Sequence, residues 1–366
     1  MISIMIFVVS AANSVHAQTS ISGVGVFPGA VAYDSTTNQI FVVDATGGAL
    51  SVISGSTDQV TQTIALPYTP EGLVYDSGQN AMYISTSGGI CVLPNGANAV
   101  SETIANTQGS GASIVYDSGM GYIFVDAANG VQVIKDSSNT VTANITVPNP
   151  GPLVYDSSAK AVYMSESVGT DVFVISDKTL QLNKTPITVS SDPYENPGSL
   201  AYDSALGRIF VTNSTDVSVI QDSNNKIVEV VHNVANLNSS PGTLVYVGNN
   251  EIICSNGAII SDKTNSVVST LDVGTNPADI AYDSGTGQIF VSNGNDPGTV
   301  TYVSVSSAIP STASPTSSPS SSSAATSTPK VPEFSSAAFV SVGIAMVALA
   351  ASAVTLKART KKSLRT

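Results

Sequence analysis

A tyrosine–aspartate pair returns along this 366-residue chain at a nearly constant interval. It stands at Tyr33-Asp34, Tyr75-Asp76, Tyr116-Asp117, Tyr155-Asp156, Tyr202-Asp203 and Tyr282-Asp283, with a degenerate copy at Tyr246-Val247. The intervals are 42, 41, 39, 47, 44 and 36 residues. Five residues ahead of the tyrosine stands a proline in six copies, Pro28, Pro70, Pro150, Pro197, Pro241 and Pro277, and Gly111 takes that place in the third. One unit of this size cannot bury its own apolar face. Seven in a row must therefore stack on one another, and the period decides the architecture.

Each unit contains four strand-like runs. The first ends in the marker, as in "LVYD" or "LAYD"; after a polar turn comes the second, such as "QIFVV", "RIFVT" or "QIFVS". Both are nearly continuous in apolar residues, which predicts strands buried on both faces. The third run ("LSVIS", "VQVIK") and the fourth ("VTQTIAL", "VVSTLDV") alternate, which predicts strands nearer a rim. Four strands, a period of about 40 and seven copies predict an all-β, seven-bladed β-propeller. A linear solenoid is the rival, but solenoids need capping repeats. The last unit stops after three strands, whereas "QTSISGVGVFPGAVAYD" has a spare strand ahead of the first proline. We expect Ser20–Phe27 to pair with Thr299–Val305, complete the seventh blade and close the circle.

Composition narrows the function. Excluding Glu333 and the five basic residues of the last ten, residues 18–330 carry 8 basic and 25 acidic side chains, a net −17. Such a surface repels phosphate backbones, which argues against nucleic acid as a partner. Cys91 and Cys254 lie in apolar runs, "GGICVLP" and "EIICSN", and read as small buried apolar residues. The repeat map sets them far apart, against a disulfide between them.

The ends point to export and anchoring. Residues 1–17, "MISIMIFVVSAANSVHA", read as a secretory signal peptide, although no Lys or Arg precedes the apolar stretch. The propeller is expected over 18–305. Residues 306–330 form a stalk: of residues 306–329, 15 of 24 are Ser or Thr and 4 are Pro, too polar for a core. At about 3.1 Å per residue that stretch reaches about 75 Å when extended, and its hydroxyls suit O-glycosylation. Ser335–Leu356 is a 22-residue uncharged run, long enough for a transmembrane helix. The basic residues Lys357, Arg359, Lys361, Lys362 and Arg365 follow it, so residues 357–366 are expected in the cytoplasm and the propeller outside.

Two resemblances follow from particular residues. "VPEF" at 331–334, then an apolar helix and a basic cluster, resembles the archaeal PEF-CTERM sorting signal. That resemblance implies cleavage near the motif and replacement of the helix by a lipid anchor. "IFVTN" at 209–213 and "IFVSN" at 289–293 resemble the YVTN β-propeller repeat, with Phe for its leading Tyr. This repeat is common in archaeal surface-layer-associated proteins, and its fold resembles the quinoprotein amine dehydrogenase-like propellers. The likeness covers about residues 19–306 and speaks to fold far more than to function.

Candidate sites are sparse. Asp34, Asp76, Asp117, Asp156, Asp203 and Asp283 lie in the turn between first and second strands, on the face where propellers seldom bind ligands. An Asp there can bond its own backbone two residues on and fix the turn. The ring at the other end of the second strand is Asp44, Thr86, Ala127, Glu166, Asn213, Asn256 and Asn293. From it Asp44, Glu166, Asn256 and Asn293 are drawn as candidate ligands for a hard cation such as Ca²⁺, with Glu71, Asp171 and Asp279 in neighbouring loops. Turn-forming residues at strand ends are the plainer explanation. The histidine outside the leader, His232, falls in a fourth strand away from the axis and reads as solvated or satisfied. No nucleophile elbow, phosphate loop or haem motif occurs, so neither catalytic nor cofactor-binding residues are assigned. The sequons at Asn144, Asn183, Asn213 and Asn238 are glycosylation candidates.

These readings converge on an exported propeller, anchored at the outer face of the cell membrane, that serves as a binding or cell-envelope structural module. Its expected partners are envelope or surface-layer proteins or glycans. The alternative is an extracytoplasmic propeller enzyme, of lactonase or lyase type, using a calcium or magnesium ion on the axis. Electron transfer with a partner is a third idea, opposed by the absence of Trp and of any haem motif.

Overall fold

The computed structural model describes residues 18–105, 111–192, 194–234 and 242–305. Seven antiparallel sheets follow one another along the chain, each with its first strand innermost. The first blade is Pro28–Asp34, Gln39–Asp44, Ala49–Ser54 and Gln59–Ala65. The inner pairs of the next five open with Pro70–Asp76, Ile114–Asp117, Pro150–Asp156, Pro197–Asp203 and Leu244–Tyr246. The seventh holds Pro277–Asp283, Gln288–Asn293 and Thr299–Ser304, and takes its fourth strand from the other end of the chain, Thr19–Ser22. Thr19, Ser20, Ile21 and Ser22 stand opposite Tyr302, Thr301, Val300 and Thr299. The expected closure is present. Its strand ends at Ser22 rather than Phe27, because Gly23 and Gly25 take φ of +83° and +99° and turn the chain towards the first blade.

The repeat residues explain why each blade begins where it does. A proline has no N–H to give a ladder, so it is tolerated at the start of a strand. In five blades the inner strand slips register just after it, as between Pro28 and Val31 or Pro197 and Leu200. The first turn ends in a left-handed residue in all seven blades: Asn38, Asn80, Gly121, Lys160, Gly207, Asn250 and Gly287. Asn and Gly fill six of these because they adopt positive φ at little steric cost.

The core lies between blades. Seven buried apolar clusters are present among the described residues, each drawn from two neighbouring blades. The seventh unites Ile21, Ala281, Phe290 and Val300 with Val31, Ile40, Val42 and Ile53 of the first blade. Burial of this kind contributes roughly 25 cal/mol per Å² of apolar surface, so every blade depends on both its neighbours. The third strands depart from expectation: they are buried almost throughout, as in "DVFVIS", and clear alternation is confined to fourth strands such as Gln59–Ala65. Adjacent blades cover three strands of each sheet and leave only the outermost at the rim. The polar residues of the third strands are consequently buried and bonded, as in Ser218 Oγ to the Val189 carbonyl (3.2 Å) and Gln132 Nε2 to Asn144 Oδ1 (2.8 Å).

Cys91 and Cys254 are both free and buried. Burial pushes the Cys254 thiol well above its ordinary range. No helix of the described residues is long and apolar enough to cross a membrane. The leader, the stalk, the 331–334 motif, the Ser335–Leu356 run, the basic tail and Asn238 lie outside the described residues.

Candidate functional site

The turns between first and second strands define one face, called lower here. All six marker aspartates are fully buried and built into their turns. Oδ1 of Asp34 accepts the amides of Thr36 (2.8 Å) and Thr37 (3.2 Å); Asp203 does the same for Ala205 (2.8 Å) and Leu206 (3.2 Å), and Asp283 for Gly285 (2.7 Å) and Thr286 (3.1 Å). Asp76, Asp117 and Asp156 repeat the pattern. Bonds from backbone amides to a carboxylate are each worth about 1.5–3 kcal/mol. These carboxylates act as turn devices, as their place in the repeat suggested.

The tyrosine beside each aspartate has a use that the sequence did not disclose. It faces backwards, onto the aspartate of the preceding blade: Tyr75 on Asp34, Tyr116 on Asp76, Tyr155 on Asp117, Tyr202 on Asp156, Tyr246 on Asp203 and Tyr33 on Asp283. Burial, together with these carboxylates, pushes the phenols of Tyr33, Tyr155, Tyr202 and Tyr246 above the usual tyrosine range. A Cβ on Gly78 would run into the Tyr116 hydroxyl, and one on Gly285 would approach that of Tyr33. The small residue after the marker thus makes room for the next blade's tyrosine. Six joints of the ring carry this latch. The joint between the sixth and seventh blades does not, because Val247 stands where the aspartate would be.

On the opposite, upper face, the strand-end ring is occupied in holding linkers and turns. Asp44 Oδ1 accepts the Gly47 amide at 2.8 Å. Glu166 Oε1 accepts Asn149 Nδ2 at 3.1 Å. Asn256 accepts the Ala258 amide (3.0 Å) and donates to the Val234 carbonyl (3.2 Å). Asn293 meets the Thr301 hydroxyl at 2.8 Å. With its amide reversed it also reaches the Val273 and Thr275 carbonyls. Each candidate is bonded within its own blade or to the linker beside it, and no group of three or more His, Cys, Asp or Glu among the described residues could hold a metal.

The neighbouring acids are placed more variously. Asp279 Oδ2 accepts the Val31 amide across the closing joint at 2.8 Å, and Asp171 accepts the Thr188 hydroxyl at 2.7 Å. Asp126, overlooked in the sequence because it lies within an apolar strand, accepts the Ser113 amide at 2.8 Å. Burial pushes its carboxyl up to about 7, and Glu71 on the adjoining blade adds to the rise. His232 is exposed and bonds Asp216 Oδ2 at 2.6 Å. Burial alone would raise the Asp216 carboxyl, but the Asn233 amide and His232 together hold it below its ordinary range.

Of the sequons, Asn144 and Asn183 are exposed. Asn213 is 5% exposed, with its amide directed at the Val189 carbonyl (3.4 Å), so a glycan could not be fitted there in the folded ring.

The upper linkers and turns display four of the large exposed apolar side chains, including the two most exposed among the described residues. Tyr194 is 91% exposed, Val168 65%, Phe27 51% and Tyr68 46%. Tyr68 lies flat over Gly88, which leaves one ring face outward. Phe27 takes φ of +54° immediately before a proline, where Asn149 and Asn276 occupy the matching positions with φ of +40° and +56°. A bulky residue there is a backbone outlier of the kind concentrated at functional positions. The linkers and turns of this face carry Asp192, Glu195, Asp272 and Asp296 and contain no Lys or Arg.

Comparison with known proteins agrees at the level of fold. The solved hydrazine synthase of Kuenenia stuttgartiensis is similar with a TM-score of 0.64 at 13% identity, over 81% of this chain and 99% of that one. The shared feature is the propeller. No family model matches the chain, and no curated protein does.

Proposed function

We propose that this chain is an exported, surface-anchored β-propeller that acts as a binding or cell-envelope structural module of the YVTN-repeat, surface-layer-associated kind. The observation that carries the reading is the contrast between the two faces. Polar groups of the lower face and of the strand ends are engaged in holding the ring, whereas the upper linkers present Phe27, Tyr68, Val168 and Tyr194 to solvent beside acidic residues. Exposed aromatics on a rigid frame bind with little loss of side-chain entropy. The leader, the Ser/Thr/Pro stalk, the PEF-CTERM-like segment and the exposed sequon residues Asn144 and Asn183 support placement outside the cell on a tether.

The test combines localisation with capture. The full chain should fractionate with the envelope, and deletion of residues 331–366 should release it to the medium. The released protein, immobilised, should retain an envelope protein or glycan that a Phe27→Ala/Tyr68→Ala/Tyr194→Ala variant does not. Equal retention by both would remove the upper face from the proposal, and a cytoplasmic full chain would remove the export reading.

A further inference from the structure

The joint between the second and third blades is open at the rim, and the cause is the length of one strand. The outermost strand of the second blade, Glu102–Ile104, has 3 residues, whereas those of the first and third blades, Gln59–Ala65 and Thr140–Thr146, have 7 each. The flank of Thr140–Thr146 that faces the second blade is therefore only partly covered. Val141 on this flank packs against the apolar cluster that the two blades share, and a groove of about 470 Å³ remains beside it. Glu102, Thr103, Asn139 and Thr140 bring hydrogen-bonding groups to the groove, Ile104 and Val141 bring apolar surface, and no Lys or Arg lines it.

Hydrogen bonds hold the groove in shape. Asn139 Nδ2 donates to Glu102 Oε2 at 2.9 Å, from the third blade to the second, while Asn139 Oδ1 accepts the Tyr83 hydroxyl at 2.7 Å. Gln132, only 2% exposed, donates from Nε2 to Asn144 Oδ1 at 2.8 Å. Asn144 also lines the groove. Its Oδ1 is taken, whereas its Nδ2 donates to no group among the described residues. Nδ2 is the atom to which an N-linked glycan is joined, and Asn144-Ile145-Thr146 has the acceptor spacing. Asn144 and Thr146 are both exposed. Asn213, by contrast, is buried, and Asn183 belongs to the fourth blade and is not among the groove residues.

We propose that Asn144 carries an N-linked glycan whose first sugars are neutral and lie in this groove between the second and third blades. The inference rests on the export reading, because the sugar donor, a lipid-phosphate-linked oligosaccharide, is met outside the cytoplasm. In the transfer the bond from the anomeric carbon to the phosphate oxygen breaks and a bond from that carbon to Asn144 Nδ2 forms. The departing phosphate takes the Nδ2 proton, and nothing is oxidised or reduced. Sugar rings have polar edges and apolar C–H faces, which suits a groove with both kinds of lining. Glu102 Oε1 accepts from a sugar hydroxyl, Thr103 and Thr140 exchange bonds with others, and the C–H face covers Ile104 and Val141. Glu102 with no cation beside it disfavours an anionic sugar. A groove that already has its shape costs little ordering when the glycan settles in it. The glycan supplies the cover that the short strand leaves off.

Glycopeptide mass spectrometry of the full chain, purified from the cells that make it, tests occupancy. The Asn144 peptide should carry a neutral saccharide. Thr146→Ala should lose it, and Thr146→Ser, which keeps the acceptor hydroxyl, should retain it. Amide exchange tests the seating, against the same chain made without glycosylation. Exchange in Glu102–Ile104 should be about tenfold slower when Asn144 is modified. Glu102→Ala should shrink that difference and leave occupancy intact. A bare Asn144 on an envelope-borne chain would overturn this inference and leave the export reading standing, whereas a cytoplasmic chain would overturn both. A modified Asn144 with unchanged exchange in Glu102–Ile104 would place the glycan outside the groove and overturn the seating.

Discussion

The Val31 amide of the first blade donates to Asp279 Oδ2 of the seventh at 2.8 Å, joining residues 248 positions apart in sequence. Ser292 Oγ donates to the Gly29 carbonyl across the same joint at 2.6 Å. Elsewhere the equivalent links come from neutral side chains, Ser113 to the Leu153 amide (2.8 Å) and Ser199 to the Leu244 amide (3.1 Å). A carboxylate therefore stands at the one joint where the circle must close.

Replacing Asp279 by Ala leaves the buried Val31 amide without its acceptor. A cost of about 1–3 kcal/mol is expected for such a loss, and Asp279→Asn, which keeps an acceptor, should lose less. Urea unfolding checks this; equal loss in the two variants would mean that packing, rather than the bond, matters at this position.

The closing strand is testable through Ile21, which is 6% exposed and pairs with Val300. Ile21→Asp puts an unpaired charge into the apolar cluster shared by the seventh and first blades. Cooperative unfolding should shift to lower denaturant by several kcal/mol. A change confined to a few tenths would show that the ring is stable open.

Stabilisation is expected from Leu206→Thr. Leu206 is exposed and sits where Thr37 and Thr286, in two other turns, donate their hydroxyls to Oδ2 of Asp34 and Asp283, whereas Asp203 Oδ2 is buried with no hydrogen-bond partner among the described residues. A threonine there can donate to Asp203 Oδ2, a gain of about 1 kcal/mol by the usual worth of a hydrogen bond. Thermal unfolding of the purified variant reads it, and a lower midpoint would count against the turn geometry.

Asp126 gives a pH dependence with a definite sign. Its carboxyl ionises at about 7 in the folded protein against 3.8 ordinarily, so the folded state holds the proton more tightly. Stability from this group is complete below the unfolded value, falls as pH rises between the two, and is flat above about 7. Asp126→Asn keeps an acceptor for Ser113 and removes the titration. Its stability relative to the parent should therefore climb from pH 4 to pH 7, as read from paired denaturation curves; a constant difference would refute the assignment.

The fold was legible because it is written seven times. The Tyr-Asp marker, the proline ahead of it and the spare strand read at Ser20–Phe27 convey blade number and closure without reference to any long-range contact, although the strand itself is Thr19–Ser22. The third strands were misread because period-2 alternation normally marks a half-exposed strand. In a ring, neighbouring blades bury the polar positions too, as at Ser218 and Gln132. The site was less legible for a related reason. Asp44, Glu166, Asn256 and Asn293 offer oxygen at strand ends, yet sequence cannot show that linker and turn groups already use those atoms. Nor could it show that each tyrosine turns back to the blade before it, or that Glu71 on the adjoining blade lies near enough to Asp126 to raise its carboxyl.

One joint lacks its fastener. Tyr282 looks back at a blade that has Val247 in place of an aspartate, so the sixth and seventh blades are held by apolar packing where every other pair has a latch as well. In mechanical terms the circle has a seam, and the seam is not where the two ends of the chain meet. Under strain the ring should part there first, with amide exchange in Pro277–Asp283 outrunning that in Pro28–Asp34. Val247→Asp would move the weak point elsewhere.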